Sequence, residues 1–372
     1  MIDNTAMPGS TLSDEPAGKA RILPIAPRAT LRDPAALAAA GLVAADAVPL
    51  LASVAARYAV AVTPAMADLI DSADPADPIA AQFVPSGAEL VTTADERADP
   101  IGDEAHSPLP GLVHRYPDRV LLKLVHACAV YCRFCFRRET VGPGGPTLLG
   151  EDAFAAALAY IAERPAIWEV IFTGGDPLVA APRRLAALIN RFRAVEHVRV
   201  LRFHTRIPIV DPERVDAALL AALSETGKAV YVAVHANHPR EFTPAARDAL
   251  ARLADAGIAL VSQSVLLKGI NDDAQTMAAL MRAFVEARVK PYYLHHGDLA
   301  PGTSHFRTTI AEGQALMRAL RGRLSGLAQP TYVLDIPGGK GKVPIGPDYV
   351  DEAGTVTDPQ GVVHPYPFGA EI

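Results

Sequence analysis

The sequence predicts a mixed α/β fold, a partial (β/α)6-type TIM barrel with an N-terminal helical extension and a short C-terminal extension. Three observations predict it. After about residue 119, apolar runs typical of strands alternate with helical stretches, and several of these runs recur about 30 residues apart. The runs are also continuously apolar, as strands buried on both faces must be. Six such units precede a seventh run, which indicates an incomplete barrel with right-handed crossovers.

The predicted strands share an enrichment in aliphatic and β-branched residues and cover 120–125, 169–173, 198–204, 229–235, 258–265, 289–294 and 331–334. Helices are predicted between them at 152–164, 182–194, 212–225, 243–256, 272–287 and 313–324. Two of these helices begin with an N-cap residue followed by proline, in Asp211-Pro212 and Thr243-Pro244. The alternative is an open doubly wound sheet. Its usual G-x-G-x-x-G signature does not follow the first strand.

The remaining chain divides by composition. Residues 1–30 are rich in Pro, Gly, Ser and Asp without a period, so we expect a poorly ordered start. Residues 31–110 are rich in Ala and Leu and predict a helical N-terminal region. The barrel is expected over 111–330, and a glycine-rich loop and tail over 331–372.

Composition excludes several classes of protein. The 372 residues are 50% hydrophobic and 20% charged with a net charge of -6, so the chain can build a core and has no overall basic character for nucleic acid. The most apolar stretch is interrupted by Asp46, Pro49 and Arg57, which argues against a membrane span. The N-terminus lacks the layout of a signal peptide. We expect a cytoplasmic protein that binds neither nucleic acid nor membrane.

The three cysteines are the strongest chemical signal. Cys128, Cys132 and Cys135 form a C-x3-C-x2-C motif directly after the first predicted strand. No other cysteine exists, so a disulfide framework is excluded. Three thiolates on one loop can hold three irons of a [4Fe–4S] cluster and leave the fourth iron open. A zinc site completed by His126, or a purely structural set of thiols, is the alternative.

Further motifs follow in a defined order. They are Arg115-Tyr116-Pro117-Asp118-Arg119, Phe136-Arg137-Arg138, Thr173-Gly174-Gly175-Asp176-Pro177, His204-Thr205-Arg206-Ile207-Pro208, Asn237-His238-Pro239, the stretch 263–272 and Asp335-Ile336-Pro337-Gly338-Gly339-Lys340-Gly341-Lys342. With the cysteine motif, this series over about 105–350 resembles the lysine 2,3-aminomutase family of the radical S-adenosylmethionine superfamily.

The resemblance implies a radical enzyme with a [4Fe–4S] cluster, S-adenosylmethionine and pyridoxal 5′-phosphate. The cluster would be held by the three cysteines, and its open iron would bind S-adenosylmethionine. The positions that match the family's contacts to this cofactor are Gly174, Gly175, Asp176, His235 and Gln263.

The glycine-rich segment after the last strand implies the second cofactor. It fails the P-loop pattern, because Ile336 stands where the first glycine is needed. In the family this loop carries the lysine that binds pyridoxal 5′-phosphate covalently, and the register from Asp335 places it at Lys342. Lys340 is the alternative. Arg115, Tyr116 and Arg119 match contacts to the phosphate and ring, and arginine suits phosphate by its bidentate fork.

The resemblance also implies a substrate. Arg137 would bind its α-carboxylate, and Asp298 with Asp335 would bind the distal ammonium of L-lysine. Two acids stabilise an ammonium at this place, whereas they would repel the side-chain carboxylate of a glutamate substrate. We therefore expect an L-lysine 2,3-aminomutase that forms β-lysine. The alternatives are the branch of the family associated with elongation factor P, a radical aminomutase for another amino acid, and a non-catalytic iron–sulfur or zinc protein. The expected partners are a reducing electron-donor protein and further copies of the chain in a homo-oligomer.

Overall fold

The central feature of the computed structural model is a curled sheet of nine strands whose spatial order follows the chain order. The structure describes residues 28–142, 148–352 and 354–365. The strands of the sheet are β1 (Leu112–Tyr116), β2 (Arg119–Val125), β3 (Glu169–Gly174), β4 (Val200–Thr205), β5 (Ala229–His235), β6 (Ala259–Val265), β7 (Lys290–His295), β8 (Thr331–Asp335) and β9 (Lys342–Pro344). A separate two-stranded sheet joins β10 (Thr355–Thr357) to β11 (Val363–Pro365).

Strands β2 to β8 are parallel, and each pairs with the next in sequence. The helices between them are α5 (Glu151–Ala162), α6 (Pro182–Ile189), α7 (Ile207–Val210), α8 (Ala217–Ser224), α9 (Pro244–Asp255), α10 (Ala274–Glu286) and α11 (Ile310–Leu320). The N-terminal extension contains α1 (Pro34–Ala39), α2 (Val48–Arg57), α3 (Pro64–Ala67) and α4 (Pro78–Phe83). Seven parallel strands with six crossovers confirm the predicted partial barrel.

The two edge strands were not predicted. β1 pairs antiparallel with β2 around a tight turn at Pro117-Asp118, and β9 pairs antiparallel with β8 after the glycine-rich loop. Both are short, at five and three residues, and the second holds only Lys342, Val343 and Pro344. A run of this length carries too few alternations to be recognised in sequence. Its pairing depends on the neighbouring strand.

Capping side chains explain where the helices depart from prediction. The predicted helix 212–225 divides because the Asp216 side chain accepts a hydrogen bond from the Leu219 N–H and begins α8 there. The predicted helix 313–324 begins earlier, at Ile310, because Thr309 and Glu312 form a capping box. The predicted helix 182–194 ends as a short 3-10 segment after Ile189.

Strand alternation decides which side chains reach the interior of the barrel. In β2, Val120, Leu122 and Leu124 are fully buried in the layer between sheet and helices, whereas Leu121 lines the interior cavity. Phe172 and Phe203 stack at 4.7 Å in that layer on neighbouring strands. The packed outer layer holds the strands in place and leaves their inward side chains free to form a site.

The N-terminal extension is helical, as predicted, and packs against the chain that follows β2. Among the described residues no helix is both long and apolar enough to cross a membrane. The expected poorly ordered start at 1–30 lies outside the described residues except for its last three positions, and the tail from 366 onward lies outside them too. The domain boundaries near 30, 110 and 330 stay predictions.

Candidate active site

A cavity of about 780 Å³ fills the interior of the curled sheet, and its lining includes the residues that end five of the parallel strands: Gly174, Thr205, His235, His295 and Asp335. This is the end where α/β barrels place their active sites. Every site residue predicted from the sequence contributes to its wall: Cys128, Cys132, Cys135, Arg115, Tyr116, Arg119, Arg137, Gly174, Gly175, Asp176, His235, Gln263, Asp298, Asp335 and Lys342. Lys340 is exposed outside it.

The cysteine loop follows β2, and all three of its thiols are free. Burial, reinforced by the neighbouring Cys132, raises the pKa of the Cys135 thiol to about 11, and burial with the nearby Asp176 raises the pKa of Cys128 well above its usual value. Thiolates here need a positively charged partner, which iron supplies because a coordinated thiol is deprotonated outright. The donor set therefore fits an iron–sulfur cluster.

The loop's geometry also bears on the zinc alternative. Across the ranges that the structure describes, no three His, Cys, Asp or Glu side chains are arranged to hold one metal ion. Ligands of a [4Fe–4S] cluster need not converge on a single point, because each thiolate binds a different iron.

Buried ion pairs attach this loop to the N-terminal extension. Arg133 and Arg138 both bind Glu89, a fully buried carboxylate from that extension. The backbone N–H of Arg133 also donates to the Gln82 carbonyl at 2.9 Å. Breaking such a buried pair leaves an uncompensated charge and is strongly destabilising. The helical extension therefore holds the loop that carries the thiols.

The turn after β3 is packed directly on this loop. A Cβ at Gly175 would lie 2.3 Å from the Ala127 carbonyl oxygen, and one at Gly174 (φ +106°) would lie 2.3 Å from that of Val125. These glycines are required because two backbones meet here. Asp176 is buried, and its carboxylate accepts hydrogen bonds from the Thr205 hydroxyl at 2.6 Å and the Arg206 N–H at 2.7 Å. Its role in cofactor binding stays a prediction.

His235 and Gln263 are paired in register at the ends of β5 and β6. His235 Nε2 is buried without a hydrogen-bond partner among the described residues. Burial and the charge of Arg206 hold the pKa of His235 well below its usual value, so the ring is neutral. A buried ring nitrogen on a cavity wall is a contact left for a ligand, and this fits S-adenosylmethionine beside the cysteine loop.

Across the cavity, Lys342 enters from β9 and binds Asp335 at the end of β8. Lys342 Nζ also lies 3.2 Å from His295 Nδ1, and that nitrogen lies 3.4 Å from Asp335 Oδ2. Burial opposes ionisation of Asp335, but its bonds to His295 and Lys342 outweigh this and hold its pKa well below the usual range. Asp335 is thus a fixed negative charge.

Asp298 behaves differently from Asp335. Burial, followed by repulsion from Asp335, raises the pKa of Asp298 to about 7. The two carboxyl groups therefore form a pair in which one is ionised and the other titrates near neutral pH. A cation brought into this part of the cavity would favour the doubly ionised form.

Arg137 faces the same cavity from the segment after Cys135. Its Nη2 donates to Asp103 Oδ2 at 2.9 Å, and its Nη1 lies 3.3 Å from the Thr173 hydroxyl oxygen. Arg115 donates to the other oxygen of Asp103 at 3.3 Å and to the Ile101 carbonyl at 2.6 Å. Asp103 therefore orients two predicted site arginines at once.

Tyr116 contacts the backbone of Lys342, and Arg119 packs on Tyr116. The Arg119 guanidinium lies 3.9 Å from the centre of the Tyr116 ring. The Tyr116 hydroxyl accepts a hydrogen bond of 2.7 Å from the Lys342 backbone N–H. A lysine, an aromatic ring and an arginine side by side suit a phosphorylated aromatic aldehyde, so the residues fit pyridoxal 5′-phosphate.

Sequence reasoning gave no site role to several polar residues of this cavity, among them Asp103, His204, Arg206 and His295. His204, at the end of β4, has a buried Nε2 without a partner among the described residues, and burial with the charges of Arg202 and Arg137 holds its pKa well below the usual value. The position of His204 and His295 at strand carboxyl ends was the available signal. Asp103 offered none, because it comes from an extension distant in sequence.

Comparison with known proteins agrees with this geometry. The profile described as Radical SAM superfamily matches residues 122–281, and the one described as Lysine-2,3-aminomutase matches 317–362. The chain is 42% identical to L-lysine 2,3-aminomutase of Acetoanaerobium sticklandii, over 78% of this chain and 70% of that protein.

Two further relatives show how widely the resemblance extends. The chain is 37% identical to L-lysine 2,3-aminomutase of Escherichia coli over 77% of this chain and 83% of that protein. It is 36% identical to glutamate 2,3-aminomutase of Clostridioides difficile over 79% and 69%. With the cysteine loop, the lysine of β9 and the paired acids in one cavity, the chain belongs to the lysine 2,3-aminomutase family of radical S-adenosylmethionine enzymes.

Proposed function

We propose that this protein converts L-lysine to β-lysine by moving the amino group from the α to the β carbon. The observation that carries the choice of lysine is the acidic pair Asp298 and Asp335 in one cavity with Arg137. A distal ammonium would balance two carboxylates that otherwise repel each other, whereas a distal carboxylate would add a third negative charge.

The cofactors of this family supply the radical and the π system: S-adenosylmethionine on a [4Fe–4S] cluster supplies the radical, and pyridoxal 5′-phosphate conjugates the migrating nitrogen. The chain's own residues bind and orient. Cys128, Cys132 and Cys135 are the proposed cluster ligands, with Gly174, Gly175, Asp176, His235 and Gln263 on the wall beside them. Lys342 is the proposed lysine for pyridoxal 5′-phosphate, with Arg115, Tyr116 and Arg119 as phosphate and ring contacts.

The substrate would be held at both ends. Arg137 is the proposed contact for the α-carboxylate, and Asp103 holds its guanidinium in place from behind, at 2.9 Å. Asp298 and Asp335 receive the ammonium at the other end. Fixing both ends of the flexible lysine chain presents its β carbon to the radical and keeps its other carbons away. Orientation of this kind lowers the barrier of the reaction.

His295 is a further residue that supports this arrangement. Its Nδ1 lies within hydrogen-bond distance of Lys342 Nζ and close to Asp335. Burial, followed by the charge of Lys342, lowers the pKa of His295, so the imidazole is neutral near pH 7 and its Nδ1 can accept a hydrogen bond from Lys342 Nζ. This contact helps to orient the lysine that we propose binds pyridoxal 5′-phosphate.

An anaerobic assay with dithionite and S-adenosylmethionine tests the proposal, with lysine, norleucine, arginine and glutamate as parallel substrates. Lysine should give the highest kcat/KM. A preference for glutamate or norleucine would contradict the substrate and leave a radical aminomutase for another amino acid. The proposal also includes an electron-donor protein, a homo-oligomer and a cytoplasmic location, which are tested separately. The branch associated with elongation factor P remains an alternative.

A further inference from the structure

The guanidinium of Arg206, which directly follows β4, reaches the cysteine loop. Its Nη1 donates a hydrogen bond to the Sγ of Cys132 at 3.0 Å. Arg206 is buried, with 5% of its surface exposed. This contact joins a cation to one thiol of the loop.

Three separate contacts fix the position of Arg206. Its Nη2 binds the fully buried Glu241 and donates to Gln82 Oε1 at 3.1 Å. Its backbone N–H donates to Asp176 at 2.7 Å. Because both Nη groups and the backbone are engaged at once, the guanidinium has little freedom to turn away from the sulfur.

Two aromatic rings lie beside this contact. The Arg206 guanidinium lies 4.7 Å from the centre of the Phe83 ring and 5.8 Å from that of Phe134. Water is excluded on these sides, so the interaction of the charge with the sulfur is screened far less than it would be at the surface.

We propose that Arg206 raises the reduction potential of the iron–sulfur cluster by donating to the sulfur of Cys132. A thiolate bound to iron keeps lone pairs that accept such a bond. One-electron reduction adds a negative charge to the cluster and its sulfurs, and a nearby cation with a hydrogen bond stabilises the reduced form more than the oxidised form.

Glu241 does not cancel this effect. It binds Nη2, while the nitrogen that faces the sulfur is Nη1. The positive end of the pair is therefore directed at Cys132. Gln82 belongs to α4, so the N-terminal extension takes part in setting the potential as well as in holding the loop. Arg206 acts through Cys132 and is a positioning residue for the cluster.

The test is a redox titration of the reconstituted holoenzyme, followed by the electron paramagnetic resonance signal of the reduced cluster. It is carried out without S-adenosylmethionine and without substrate, so the result does not depend on the proposed reaction. Arg206→Met removes the charge and the bond, and Arg206→Lys keeps the charge but loses the planar fork that reaches Cys132, Glu241 and Gln82 together. Iron and sulfide content are measured for each variant.

Arg202→Met is the matched control. Arg202 lies four residues earlier, in β4, lines the same cavity and binds Glu169 at 3.1 Å, away from the cysteine loop. We expect Arg206→Met to lower the equilibrium constant for one-electron reduction at least tenfold, which is about 59 mV. Arg206→Lys should give a smaller decrease, and Arg202→Met should leave the potential close to that of the wild type.

Equal potentials for wild type and both Arg206 variants, at equal cluster content, would overturn the proposal. So would an equal decrease in Arg202→Met, since the effect would then come from the general charge of the cavity. If Arg206→Met does not retain a cluster, Arg206→Lys decides: an unchanged potential in that variant overturns the proposal, and a lowered one supports it.

Discussion

The backbone N–H of Lys342 donates a hydrogen bond of 2.7 Å to the hydroxyl of Tyr116, and so connects the last strand of the barrel sheet to the first. These residues are 226 positions apart in sequence. The two edge strands β1 and β9 thus meet across the opening of the curled sheet. Because Lys342 is the proposed lysine for pyridoxal 5′-phosphate, the closure of the sheet and the placing of its side chain depend on the same contact.

Removing this contact should destabilise the protein. Tyr116→Phe leaves the Lys342 N–H without its acceptor, and an unsatisfied donor of this kind costs about 1–3 kcal/mol in free energy of unfolding. Denaturant unfolding measures the change, with the exposed Tyr231→Phe as the control. An unchanged stability in Tyr116→Phe would show that β1 and β9 do not depend on the bond.

The identity of the cofactor lysine is tested by chemical labelling. Lys342 lines the cavity and Lys340 is exposed outside it. Borohydride reduction of protein loaded with pyridoxal 5′-phosphate, followed by peptide mapping, should label Lys342 in the wild type and in Lys340→Ala. Lys342→Ala should lose the label. A pyridoxyl group on Lys340 would contradict the assignment.

The cluster ligands are tested by single substitutions. Cys128→Ala, Cys132→Ala and Cys135→Ala should each abolish turnover and lose the intact cluster, because the sequence contains no spare thiol. Iron content and the absorbance near 400 nm are measured under anaerobic conditions. A full four-iron cluster in any one of the three variants would remove that cysteine from the ligand set.

Substrate binding should depend on pH through Asp298. Burial and Asp335 raise the pKa of Asp298 to about 7, so below that pH this carboxyl is largely protonated in the empty site. The lysine ammonium binds the ionised form, and its KM should therefore fall up to about tenfold between about pH 6 and about pH 8. Asp298→Asn should have a weaker affinity and a flat profile over the same range.

Comparing wild type with Asp298→Asn shows whether Asp298 causes the dependence of KM on pH. Other groups on the enzyme or cofactor that titrate in this range affect wild type and Asp298→Asn alike. If the variant keeps the same dependence of KM on pH, Asp298 is not the group that titrates, and its place beside the substrate ammonium is in doubt.

Asp335 is tested by its charge. Asp335→Asn should weaken transition-state stabilisation for lysine by about 2–5 kcal/mol, the cost of leaving one member of a buried charge pair without its partner. This corresponds to a decrease in kcat/KM of about 30-fold to several thousand-fold. The loss should be much smaller for norleucine, which has no distal ammonium.

A control is needed here because Asp335 also binds Lys342. Absorbance of bound pyridoxal 5′-phosphate and of the cluster should be retained in Asp335→Asn, and equal occupancy makes the kinetic comparison valid. Normal processing of lysine by this variant would exclude Asp335 as a determinant of the substrate.

The sequence by itself determined the alternation of strands and helices and the position of the cysteine motif. Seven parallel strands were predicted because each is a long apolar run, and local chemistry of this kind is written in consecutive residues. Cys128, Cys132 and Cys135 share one loop, so their closeness required no knowledge of the fold. The choice of Lys342 as the proposed cofactor lysine also required no knowledge of the fold, because it follows from the order of motifs that resembles the family.

The tertiary structure decided which distant residues complete the site. Asp103 reaches Arg137 and Arg115 from the N-terminal extension, and Arg206 reaches Cys132 from the end of β4. Their side chains meet because the strands curl and the extension packs on the cysteine loop. Such contacts depend on the sum of many weak packing interactions along the whole chain, and no short stretch of sequence contains them.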